Sequence, residues 1–138
     1  TFQLRHYLSM VTTQKHREAL TSLLLSTHQL ALEVLRYANH ANQPVQRSQR
    51  TCRFCRTEVE SPEHALLICV SSVELTRTRD TFFEVLFQRS PQLQTLQRRL
   101  SPTDFFKAIL YSRPNIGLLA KLAFDVLEIF YAVPLIRP

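Results

Sequence analysis

Residues 52–69 hold all three cysteines of the chain and one histidine, in the order C-x2-C-x8-H-x4-C: Cys52, Cys55, His64 and Cys69. Thiolates and a neutral imidazole are soft donors, and four of them in so short a window are the set that a tetrahedral zinc ion takes. An odd cysteine count cannot be wholly paired in disulfides. With two of the three in a C-x2-C knuckle, it points to a reducing compartment and a metal. The competing reading is three buried thiols and a surface histidine, since free cysteine is often buried. Chance seldom supplies this spacing, so one Zn2+ is the favoured reading. Four protein ligands leave the ion no open position, which makes it structural rather than catalytic.

Around that knuckle the chain reads as helical. Gly117 is the only glycine among 138 residues, and glycine serves tight turns and hairpins. The expected fold is therefore mainly α, with the zinc knuckle embedded in it. At most a minimal β-hairpin flanks the knuckle, near Arg50–Thr51 and Thr57–Val59. The stretches 1–46, 47–71 and 72–138 read as an N-terminal helical part, the knuckle and a C-terminal helical part of one compact unit.

Taken in order, Thr1–Met10 suggests a short helix. Gln14–Ser26 and Thr27–Tyr37 show apolar residues at helical period, with Thr27 as N-cap of the second, and the two suggest a helical hairpin. Ala38–Arg50, with Pro44, is a loop. Ser61–Cys69 starts a helix firmly, with Ser61 as cap, Pro62 at the first position and Glu63 in the first turn. His64 and Cys69 are five residues apart, out of line on a regular helix, so Cys69 is expected at a loosened last turn. Ser71–Arg89, Pro91–Leu100, Asp104–Ser112 and Ile116–Val133 follow as helices, with Arg77, Arg79 and Asp80 expected on an outer face. Ser101-Pro102-Thr103-Asp104 is another capped start. Lys121, Asp125 and Glu128 interrupt the last segment within the length that a membrane span needs.

The formal charge is +6, and 14 of the 17 basic residues are arginine. Arginine pairs with phosphate in a fixed fork. Arg47, Arg50, Arg53 and Arg56 recur at every third residue about the knuckle, and Arg98 and Arg99 make a second patch. Phe54 could stack on an unpaired base or plug the small core under the metal. RNA or DNA is the expected partner. The alternative is an incidental basic surface on a scaffold, docking on a parent polymerase or a second copy of the chain. No nucleophile elbow, phosphate loop or H-E-x-x-H motif is present, so the segment reads as non-catalytic. His6, His16, His28 and His40 have no ligand spacing among themselves. Thr1–Met10 is no signal peptide, the location expected is intracellular and nuclear, and the start on Thr1 reads as a piece of something longer.

KHREALTSLLLSTHQLALEVLRY, then RTCRFC, then VESPEHALLIC resembles the region after the polymerase domain in reverse transcriptases of non-LTR (LINE-like) retrotransposons. That region carries a CCHC zinc motif. Its pattern is an Arg before C-x2-C, an acidic residue between knuckle and helix, then E-H-x-L-x-x-C. Here Arg50, Cys52, Cys55, Glu60, Glu63, His64, Leu66 and Cys69 occupy those places. Arg56 stands where many such knuckles have glycine. The likeness covers roughly residues 15–71, and 72–138 show no nuclease-like acidic constellation. The resemblance implies a non-catalytic segment that helps a polymerase hold template RNA or target DNA during target-primed reverse transcription, or a domesticated host derivative of one.

Overall fold

The computed structural model describes residues 11–37 and 42–135. In chain order its helices are α1 (Gln14–Leu24), the single turn α2 (Ala31–Val34), α3 (Val73–Arg89), α4 (Pro91–Arg99), α5 (Pro102–Tyr111) and α6 (Ile116–Tyr131). Two 3-10 turns, Arg47–Gln49 and Arg113–Asn115, and a π turn, His64–Ile68, complete the regular structure. The fold is mainly α. Among the described residues the β content is one antiparallel bridge, Thr51 with Val59, which is the reduced hairpin that the sequence allows. The expected helix over Thr1–Met10, together with His6 and His40, lies outside the described residues.

The core is built on α6. Its buried side chains are Ile116, Leu119, Ala120, Leu122, Ala123, Val126, Leu127 and Phe130, so more than one face is covered. Helices α1, α3 and α5 and the π turn all pack against it. The α1 contact includes His16 against Phe124, with ring centroids 5.3 Å apart. A single hydrophobic cluster takes in Leu20 and Leu30 ahead of the knuckle, Cys52 and Leu66 within it, and Leu86 and Phe130 beyond it. Each large apolar side chain so buried stabilises the fold by about 1.5–3 kcal/mol. Among the described residues, no helix is long and apolar enough to cross a membrane.

The helix starts follow local chemistry. The Ser72 hydroxyl accepts from the Leu75 N–H, and the Ser101 hydroxyl from the Asp104 N–H. Pro91 and Pro102 occupy first-turn positions, where a missing N–H costs nothing. At the α3–α4 corner the chain is pinned from inside: Asn115 Nδ2 donates to the Ser90 and Ser112 hydroxyls at 2.9 and 2.8 Å.

The segment Thr27–Tyr37 departs from expectation. It forms only the turn Ala31–Val34, and Leu30, not Thr27, precedes it. Ser26 takes a left-handed φ of 56°, which stops any continuation of α1. The Leu30 N–H goes to His28 Nδ1, the Ala31 N–H to Glu60 Oε1 and the Leu32 N–H to the Glu60 carbonyl. Those three donors are taken by partners that do not extend a helix, so the expected helical hairpin does not form.

Candidate metal centre

The knuckle is closed by backbone bonds. The Cys52 N–H donates to the Glu58 carbonyl and the Glu60 N–H to the Arg50 carbonyl, on either side of the Thr51–Val59 bridge. Inside that loop the Arg56 N–H donates back to the Cys52 carbonyl at 2.9 Å. Arg56 sits at φ 60°. A side chain there costs on the order of 1 kcal/mol, and the turn is nevertheless the one that a glycine would make. Opposite the knuckle, the Ser61 hydroxyl accepts from the His64 N–H. The helix it starts widens at once into the π turn, where the Cys69 N–H reaches the His64 carbonyl, five residues back, at 2.9 Å. The wider turn brings the ill-spaced pair His64 and Cys69 onto the same side, and Cys69 then leaves in an extended conformation.

The four donor atoms so placed all lie within 4.8 Å of one another. Cys52 Sγ and Cys69 Sγ are 3.8 Å apart, and Cys55 Sγ and His64 Nε2 are 3.5 Å apart. A tetrahedral ion bonded to sulfur at about 2.3 Å and to nitrogen at about 2.0–2.1 Å sets those edges at about 3.8 and 3.5–3.6 Å. The sulfurs are free thiols, too far apart for the ~2.05 Å of a disulfide. Cys52, Cys55, His64 and Cys69 could hold one metal ion.

The surroundings suit that task. The Phe54 N–H points at Cys52 Sγ at 3.4 Å. Burial pushes the Cys52 thiol up to about 12, against the opposing Cys55 and Phe54 amides. A coordinated cation reverses that preference, because a coordinating thiol is deprotonated outright. At the half-buried Cys55, burial is outweighed by the Thr57 hydroxyl and the Thr57 and Glu58 amides, and the thiol falls below its ordinary value. Burial lowers His64 as well, which favours the neutral imidazole that a metal requires.

The arginines separate into two groups. Arg47 and Arg56 are exposed, as are Arg98 and Arg99 at the end of α4. None of the four pairs with a carboxylate among the described residues. Arg53 corrects the expectation of a four-arginine face: it is 6% exposed and ion-paired to the fully buried Glu60. Its Nε and Nη2 bond the carboxylate, while Nη1 reaches the Phe130 and Val133 carbonyls and Nη2 the Gln29 carbonyl. Arg50 is half-buried and donates to the Val45 and Leu32 carbonyls. Phe54 is a plug rather than an open stacking platform, since its ring stands edge-on to Phe130 with centroids 4.8 Å apart.

One residue near the centre was misplaced by sequence reasoning. Arg79 lies inside, only 4% exposed, and bonds the carbonyls of Ala65, Leu66 and Cys69. The signal was available: Leu75, Arg79, Phe82 and Leu86 recur at the spacing of one helix stripe, and all four are buried. No family model, curated protein or solved structure matches the chain.

Proposed function

We propose that the chain is a zinc-stapled, non-catalytic module that holds RNA or DNA beside a polymerase of the retrotransposon reverse-transcriptase kind, or in a domesticated derivative of one. The observation that carries the metal half is the Cys52–Cys55–His64–Cys69 cluster, whose donor atoms all lie within 4.8 Å of one another, with the Cys52–Cys69 and Cys55–His64 edges at tetrahedral length. Three sulfurs and one imidazole favour zinc over harder cations. Cys52, Cys55, His64 and Cys69 would hold it, and it would supply a cross-link between the knuckle and the helix after it, with no vacant position for a substrate.

The nucleic-acid half rests on charge. The chain carries +6, and Arg47, Arg56, Arg98 and Arg99 are exposed without carboxylate partners among the described residues. A role on target DNA would place the module in the nucleus, where free thiols persist.

A second reading, a zinc-stapled scaffold that docks on a protein, is favoured by one finding: Arg53, Arg50 and Phe54, which sequence reasoning aimed at nucleic acid, turn inward. Mobility-shift titration at rising salt separates the two. Four arginine–phosphate contacts give a log–log slope of about −3.6, hence a loss of about 150-fold in affinity on duplex DNA between 50 and 200 mM salt. Changing Arg47 and Arg56 to Glu should flatten that slope by about 2. Absence of any shift at low salt, with a dimer or a larger species seen by light scattering, would favour the scaffold.

A further inference from the structure

Arg79 is a buried cation to which neither reading assigns a task. Its guanidinium donates at 2.8 Å from Nε to the Leu66 carbonyl, at 2.7 Å from Nη1 to the Cys69 carbonyl and at 3.1 Å from Nη2 to the Ala65 carbonyl. All three acceptors are neutral. The ion pairs among the described residues are Arg36–Glu33, Arg53–Glu60 and Lys121–Asp125, so no carboxylate forms an ion pair with Arg79. Arg53, buried to the same degree, has Glu60. Leaving one buried charge unanswered is strongly destabilising, and three carbonyl bonds cap a chain end without neutralising anything.

Asp80, the next residue on α3, is exposed and makes no ion pair with Arg79, whereas an occupied metal centre would supply counter-charge beside the carbonyls that Arg79 bonds. Three thiolates carry three negative charges, a neutral imidazole none, and a divalent ion returns two, so the occupied centre is a monoanion. Arg79 bonds the carbonyl of one ligand, Cys69, and the carbonyl of the residue that follows another, His64. We infer that Arg79 is the counter-ion of the occupied centre, a positioning residue that favours a divalent ion on three thiolates and one imidazole. This rests on the zinc reading.

The test is competitive titration of the whole chain with cobalt(II) against a chelator, following the thiolate-to-cobalt absorption band. It compares wild type, Arg79→Gln and Arg79→Lys. Removing an outer partner of a metal site costs roughly 10–100-fold in affinity, and the Gln variant should fall in that range. The Lys variant keeps the charge but not the fork, and should hold cobalt within about threefold of wild type, well short of that loss. A Gln variant as tight as wild type overturns the assignment. So does a Lys variant as weak as Gln, because capping of carbonyls would then be the whole of its role. If Arg79→Gln does not fold, the Lys arm decides alone by the same limits. Wild-type protein that takes up no cobalt defeats the metal reading and this assignment together, whereas normal uptake with no effect of Gln defeats only the second.

Discussion

Glu60 shows how far a single carboxylate can reach. It is fully buried, yet it accepts from the Arg53 backbone and side chain and from the Ala31 N–H. Through Arg53 it also ties in the carbonyls of Gln29, Phe130 and Val133. Glu60→Gln keeps the shape but leaves Arg53 charged and unanswered. The expected cost is about 3–5 kcal/mol, read as a lower urea midpoint, and an unchanged midpoint would refute it. His28 gives a prediction in pH. Burial lowers its pKa, against the raising influence of Glu33, Glu60 and Glu63, and Nδ1 accepts the Leu30 N–H. The unfolded chain therefore takes up the proton first as the pH falls. The stability that His28 contributes is intact above about 6.5 and declines as the pH drops toward the lower folded value. His28→Asn keeps an acceptor that does not titrate. Wild type should lose more stability than this variant between about pH 7 and pH 5.5, and equal losses would exclude the effect.

At the scale of elements, two devices locate the ligands: a π turn in place of an α turn, and serine caps that fix where helices begin. A π turn is rare and found mostly as a single turn at functional sites, and here Arg79 on α3 holds its carbonyls. Caps work by satisfying N–H groups that no helix partner can reach. Ser101→Ala removes the acceptor for the Asp104 N–H and should cost about 1 kcal/mol. Thermal melts of wild type and Ser101→Ala measure that, and equal melting temperatures would place the start of α5 under the control of Phe105 and Phe106 packing instead.

For the molecule as a whole, most of the hydrophobic cluster comes from the helices packed on α6, and the candidate metal centre adds only Cys52, Ala65, Leu66 and Cys69 to it. Zinc fingers lacking such a core unfold without metal. Here chelation should leave most of the far-UV helix signal and loosen residues 51–70. Hydrogen exchange should quicken at the amides of Cys52, Arg56 and Cys69, which bond within that segment, and remain slow in α3 and α6. Cys69→Ser should reproduce the chelated pattern in the presence of zinc, with no metal found by elemental analysis. Uniform loosening, or none, would contradict a local staple.

Where the deciding interaction is local, the sequence carried it. The candidate metal ligands stand in one short window, the Ser-Pro starts act within one turn, and the apolar stripes of α3, α5 and α6 repeat at the helix period. The loosened turn before Cys69 follows from its distance from His64. The fates of Arg53, Arg50 and Arg79 were decided by tertiary structure, because an arginine reads alike whether it meets solvent or a buried acceptor. Glu60 is 29 residues from the Ala31 N–H that it accepts, and the Arg53 guanidinium is 77 from the Phe130 carbonyl. The same long-range partners turned Thr27–Tyr37 from a helix into a strap. Spacing along a chain specifies what neighbours can do together, whereas desolvation of a charge depends on which distant groups the packed core brings within bonding distance.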